Sequence, residues 1–342
     1  MKKKIFYFLS GILIIILTLT ILVYRLIFGI SVIPDDGGTT LYIPSGSTYS
    51  QILDTIQSDL KIKKPELLDW LAKKKKYPLS IQPGKYIIKE SISINELVNI
   101  LRSGRQSPVK VTFNNMRTLN QIARKFSRQL EVDSVQIMDF LADESNYATD
   151  GFKKENIISV FIPDTYEFYW NTDAKGVYQR MLKEYKRFWN VERETKAKEK
   201  GLSKTEVSIL ASIIDDEVTK KDDKPKIAGV YLNRLKRGIP LQACPTIKFA
   251  MNDFTITRVL KVHLDTDSPY NTYKYRGFPP GPIGCPSVEG LDAVMNAEKH
   301  DYLYFAAKAD FSGYHNFSRT LSEHNRYAAE YQRELNKRKI YR

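Results

Sequence analysis

Ser203-Lys204-Thr205-Glu206-Val207-Ser208-Ile209-Leu210-Ala211-Ser212-Ile213-Ile214-Asp215-Asp216-Glu217 predicts a helix that begins on a capping box and ends on a carboxylate. Ser203 can accept from the backbone N–H three residues on while Glu206 reaches back, satisfying donors that a helix start leaves open. Val207, Leu210, Ile213 and Ile214 then recur at three- and four-residue spacing, and Glu217 continues that face. A carboxyl at the edge of an apolar surface loses hydration in its charged form, so its pKa rises toward the range a general acid needs. Asp215, about 200° around the helix from Glu217, reads with Asp216 as the polar side, Asp216 being within reach of Lys220 at i+4. Spacing leaves a second reading of Glu217 open, an ion pair with Lys221 at i+4 on a solvated last turn.

Downstream, Pro225 near a helix start, Ile227, Val230, Tyr231, Arg234 and Leu235, and then Gly238 as an αL cap predict a second helix. Proline- and glycine-rich runs follow at 239–246, 268–273 and 277–286. These predict rigid loops whose Gln, Asn, Thr and Tyr either line a cleft for a polar, uncharged ligand or simply make tight connections. Cys244 and Cys285, the two cysteines of the chain, fall in such runs and are either disulfide-bonded or two buried thiols. Two cysteines exclude a disulfide scaffold or a multi-cysteine zinc module, and four histidines without HExxH give no catalytic metal site. No glycine-rich phosphate loop is present.

At the N-terminus, Ile5 to Tyr24 carries no charge, and about 20 residues of helix span roughly 30 Å, the hydrocarbon thickness of a bilayer. Lys2, Lys3 and Lys4 precede it, so the positive-inside rule leaves a cytoplasmic tail at 1–4, an anchor at 5–28 and an extracytoplasmic remainder. A cleaved signal peptide would need a shorter apolar run and small residues after it, where Val23-Tyr24-Arg25-Leu26 stands instead. Across 342 residues, 53 Lys and Arg against 39 Asp and Glu give a net charge of +14, which suits an anionic partner or surface, or solubility alone. Nucleic acid fits neither the compartment nor the scatter of the basic residues.

The exported chain reads as α+β. Thr40 to Ile43 predicts a strand, Ser47 or Thr48 a cap, and Ile52, Leu53 and Ile56 a helix; Gly84 to Ile88, Ser93 and Leu97 to Leu101 repeat that order. Val109 to Phe113, Thr118, Ile122 and Phe126 form a weaker third copy. The run Lys73 to Lys76 reads as a solvated face. Aromatics from Phe161 to Trp170 suit either sugar stacking or core packing between domains.

Glu217 and the loops together resemble the YceG-like family of membrane-anchored endolytic murein transglycosylases. The resemblance rests on Leu210 to Glu217, Tyr231 to Leu235, Leu241-Gln242, Pro245-Thr246, Ser268 to Tyr273, Gly277 with Pro279 to Gly281, Ile162 to Tyr166, His315 to Ser318 and Glu323 to Asn325. It implies a small LysM-like α+β module at 39–105, a connecting region at 106–200 and a mixed α+β catalytic domain at 201–342. It also implies that Glu217 is the single catalytic glutamate. Where the family pattern is E-x-E, this chain has Asp215-Asp216-Glu217, which leaves an assisting role for the first carboxylate in doubt, and Cys244 stands where an acid is common.

The implied reaction uses one carboxyl as acid and then base: it cleaves the MurNAc–GlcNAc bond of peptidoglycan strands without water and leaves 1,6-anhydro ends. Residue chemistry puts Gln242, Asn271 and Tyr273 on acetamido and hydroxyl groups, with Thr246 in the matching loop, and leaves Asn233 and Arg234 either orienting the acid or structural. No cofactor or metal is expected. The expected partners are glycan strands, the cytoplasmic membrane and, by the resemblance, peptidoglycan synthases. A hydrolytic muramidase and a non-catalytic wall-binding scaffold remain the alternatives.

Overall fold

A strand from Thr39 to Ile43 buries Leu41 and Ile43 on one side and leaves Tyr42 out, the period-2 pattern of a half-buried sheet. It belongs to the first of two units into which the computed structural model divides, Met1–Val111 with Gln129–Val132 and Glu167–Asp173. The structure describes residues 2–256 and 259–338, so Met1 of the expected tail and 339–342 of the expected catalytic domain lie outside it. The architecture is mixed α+β with an apolar N-terminal helix.

That helix, α1 (Lys2–Phe28), is long and apolar enough to cross a membrane, and its large apolar side chains from Ile5 to Val23 are 40–71% exposed. At its end Ile27 packs on the core of the first unit, and the chain passes directly into β1 (Ile30–Ile33). β2 (Thr39–Ile43), α2 (Tyr49–Asp59), β3 (Lys61–Ile62), α3 (Pro65–Lys74), β4 (Gly84–Ile88), β5 (Ile92–Ser93) and α4 (Ile94–Ser103) follow. β2 and β4 are antiparallel, in register from Thr39 opposite Ile88 to Ile43 opposite Gly84. β1 is the middle strand of a three-stranded sheet between β3 and β5. Thr48 forms the capping box with Gln51, Ser93 caps α4, and Gly104 ends that helix at φ 66°, a left-handed conformation that glycine adopts without strain.

The second unit comprises Thr112–Arg128, Asp133–Tyr166 and Ala174–Arg342. Residues 112–113 and 164–166 of the paired strands β6 (Val109–Phe113) and β7 (Asp164–Phe168) belong to it, with α5 (Leu119–Ser127) and α6 (Ser134–Ala142) between them in sequence. Of the aromatic run, Phe161, Tyr166 and Phe168 are buried and Tyr169 is exposed; Phe113 lies 5.8 Å from both Phe126 and Tyr166, and Phe161 6.3 Å from Phe126. α7 (Ala174–Phe188), α8 (Val191–Glu199), α9 (Lys204–Glu217), α10 (Lys224–Lys236), α11 (Cys244–Ala250) and α12 (Val288–Met295) follow, then the hairpin β8 (Tyr304–Ala307) and β9 (His315–Ser318), and α13 (Leu321–Lys337).

α9 starts on the expected Ser203–Glu206 box but is not a one-sided stripe: every residue from Val207 to Ile214 is buried. It is a core helix packed by α10, α11 and α12. Its two serines are satisfied inside that core, Ser208 donating to Lys204 O at 2.9 Å and Ser212 to Ile209 O at 2.8 Å while accepting from Ile283 N–H at 3.0 Å.

Asp215 is a buried anchor and not part of a polar face. Its side chain is 3% exposed, pairs with Lys224 at 2.8 Å and accepts from Ser287 N–H at 2.7 Å and from the Ser287 hydroxyl at 2.8 Å. A Cβ on Gly290 would sit 2.6 Å from that carboxylate, so α12 approaches this closely only because the residue is glycine. Removing Asp215 leaves the buried Lys224 ammonium with Glu289 at 3.3 Å, a partly exposed partner that compensates it poorly. Asp215→Ala is expected to cost about 3–5 kcal/mol in urea unfolding, and adding Lys224→Met should recover part of that loss.

Candidate functional site

α9 stops at Glu217 because Val218 turns extended, with only its N–H returning to Ile214 O at 3.0 Å. The Glu217 carboxyl meets the start of α11, where the Cys244 N–H, a donor that a helix start leaves free, donates to Oε1 at 3.1 Å. Burial pushes the Glu217 carboxyl up to about 7 and the charge of Asp216 adds to the rise, while the Cys244 N–H and Lys248 oppose it. Neither ion pair drawn from local spacing forms: Lys221 reaches Glu289 at 3.4 Å, and Asp216 pairs with Arg117, from 99 residues away, at 3.3 Å.

Glu217 lines a cavity of about 320 Å³ within the second unit, together with Arg234, Gln242, Cys244 and Tyr273. Gln242 holds a left-handed backbone at φ 53°, fixed by its N–H donating to Thr272 O at 3.0 Å, and its side-chain oxygen accepts from Arg234 Nη2. The Tyr273 hydroxyl lies 3.1 Å from Cys244 Sγ, and burial raises both groups above their ordinary ranges. Cys244 and Cys285 are free thiols, Cys285 fully buried with its backbone N–H donating to Met116 O at 2.7 Å.

The other three named residues are spent on the backbone. Thr246 is fully buried, donates to Ala243 O at 2.7 Å and lies 2.8 Å from the Thr272 hydroxyl. Asn271, also fully buried, donates to Leu264 O at 2.8 Å and Thr266 O at 2.7 Å and accepts from Tyr273 N–H at 3.0 Å. Asn233 donates to His300 O at 2.6 Å and Tyr302 O at 3.0 Å. All three stand outside the cavity lining and brace the loops that carry Gln242 and Tyr273 or the segment leading to β8.

Sequence reasoning left out the part of the lining formed by Tyr304 and Phe305 of β8 and by Leu321 and His324 of α13. His324 stood in one of the quoted motifs without a role, whereas Tyr304 and Phe305 carried no local signal. His315, from another quoted motif, is a lock: its backbone N–H and Nδ1 meet Asp223 Oδ2 at 2.8 and 3.0 Å. Among the described residues no cluster of three or more His, Cys, Asp or Glu could hold a metal ion.

The chain is 31% identical over 314 residues to an endolytic murein transglycosylase of Bacillus subtilis (strain 168), an alignment covering 86% of each chain. An endolytic murein transglycosylase of Streptococcus pneumoniae (strain R6) is 29% identical over 88% of this chain, which spans 60% of that longer protein. The crystal structure of a YceG-like protein from Listeria monocytogenes superposes with a TM-score of 0.56 at 26% identity, over 85% of this chain and 98% of that one. The sequence pattern of the YceG-like family matches residues 41–330, and on that span the chain belongs to the YceG-like family.

Proposed function

We propose that this protein is an endolytic murein transglycosylase in which Glu217 works first as acid and then as base. The observation that carries this reading is that, among the described residues, Glu217 is the one carboxylate lining the cavity, with its carboxyl pushed up to about 7. Hydrolytic glycosidases usually flank the bond with two carboxyl groups, one of them serving the nucleophile or the water. Here Asp215 and Asp216 are taken up by Lys224 and Arg117. A single acid suffices if the substrate supplies its own nucleophile.

Protonated Glu217 donates its proton to the glycosidic oxygen between MurNAc and GlcNAc, and the C–O bond breaks through an oxocarbenium-like state. The glutamate so formed takes the proton from the C6 hydroxyl of the same MurNAc as that oxygen closes on C1. The products are a 1,6-anhydro end and a GlcNAc with a free hydroxyl, and Glu217 is protonated again. No water enters the balance and no metal or cofactor takes part. The Cys244 N–H steadies the carboxylate between the two steps.

In the first unit, β2 and β4 with α2 and α3 between them support a LysM-like reading of 39–105. The length and exposed apolar surface of α1 support a single-pass anchor in the cytoplasmic membrane with the N-terminus inside and the remainder outside. A chain tethered there meets glycan strands as synthases extend them.

Glu217→Gln should lower strand cleavage by about 10²–10⁴-fold with the fold intact, and mass spectrometry of wild-type products should show anhydro-muramyl ends. Reducing ends would mean a muramidase, and binding without any chain shortening a scaffold. The acid form is needed first, so kcat/KM should fall as pH rises through about 7.

Stability has its own sign. A carboxyl raised from 4.5 to about 7 on folding makes ionisation costly: the cost is absent below about 4.5, grows through that window and is complete above about 7. In thermal unfolding, Glu217→Gln should therefore be more stable than wild type at pH 8, by on the order of 3 kcal/mol, and close to neutral at pH 4.5.

A further inference from the structure

Arg234 is 6% exposed, and its guanidinium donates to neutral oxygens: Nε to Pro240 O at 2.9 Å, Nη1 to Leu303 O at 3.2 Å, and Nη2 to Gln242 Oε1. It lies 5.4 Å over the Tyr304 ring. A guanidinium has five N–H donors, so these bonds leave one on each terminal nitrogen. Among the described residues it forms no ion pair, although it lines the cavity. A buried cation without an anion is costly, and Glu217, the carboxylate of that cavity, is held toward its neutral form.

His324 lines the same wall, its ring stacked on Tyr304 at 5.4 Å and 28°. Its Nδ1 is enclosed with no hydrogen-bond partner among the described residues. Burial and the charge of Arg234 push the imidazole down, so it adds no second cation to the free protein. One cavity thus holds a buried guanidinium and an imidazole that lack, among the described residues, a counter-ion and a partner for Nδ1 respectively.

We infer that the Arg234–His324 end of the cavity binds a carboxylate carried by the glycan substrate, Arg234 gripping it through its free N–H groups and His324 closing beside it. This rests on the transglycosylase reading and sharpens it: the loops that suggested a polar, uncharged ligand frame a site that also reads an acid. Two carboxylates of peptidoglycan offer the same chemistry, the lactyl group of MurNAc and the acidic residue of a peptide stem. Either would select muramic strands over chitin-like ones, because a site built for a charged acceptor rejects an analogue that lacks it.

The test uses the full chain in detergent micelles with Glu217→Gln in place, so that ligand is bound and not consumed. Calorimetry would compare three tetrasaccharides of alternating GlcNAc and MurNAc, bearing free lactyl acids, lactyl amides, or L-alanyl-D-glutamate stems. At least one acidic ligand should bind about tenfold or more tightly than the amide, and which one does so identifies the source. Arg234→Gln should bring that ratio close to one. Because Arg234 also braces its loops, His324→Gln is the second variant, on the first turn of α13, and it should shrink the ratio severalfold. A purely structural role would weaken acid and amide alike and leave the ratio unmoved. Equal affinity for acid and amide in the parent, or binding of neither, overturns the inference. Failure of the enzyme reading would show separately, in the products of the wild type.

Discussion

The hydrogen bond from the Cys244 N–H to Glu217 is where the buried helix α9 and the loop system of the second unit meet. α9 carries a carboxyl to the end of a core in which every residue from Val207 to Ile214 is buried. Burial disfavours the charged form and the single N–H favours it, and burial is the larger effect, leaving the group near 7. Had Lys221 or Lys220 bent back onto it, as helical spacing allows, the same side chain would be an ordinary carboxylate. Those lysines are drawn elsewhere, Lys221 to Glu289 and Lys220 over the Tyr314 ring.

Three consecutive acids end α9, and packing gives each a different state. Asp215 is clamped by Lys224 and Ser287 at 2.7–2.8 Å and sets the approach of α12. Asp216 is neutralised by Arg117, and Glu217 faces the cavity. Asp215, whose assisting role the sequence left in doubt, serves packing here. The acid-base work of the proposed reaction therefore falls on Glu217 alone.

Local signals with a physical mechanism were legible in the sequence: a helix cap at Ser47 or Thr48, the capping box at Ser203, the αL glycine at 238, and the place of Glu217 at the end of an apolar helix. Gln242 and Tyr273 were singled out through their loops and line the cavity; Arg234, left open between orienting the acid and a structural part, lines it too. Asn271, Thr246 and Asn233 offered the same donors and acceptors, yet rigid loops have unpaired backbone groups of their own, and these three side chains satisfy them. Sequence does not say whether an amide faces a ligand or a carbonyl. The wall of Tyr304 and His324 was hidden for a different reason, since it reaches Glu217 only through the packing of β8 and α13.

All of this chemistry depends on the Glu217 carboxyl holding its proton near neutral pH. The direct measurement is a pH titration of that group by infrared difference spectroscopy between wild type and Glu217→Gln, following the protonated carboxyl band. The account predicts a midpoint near 7; a midpoint near the 4.5 of a solvated glutamate would contradict it.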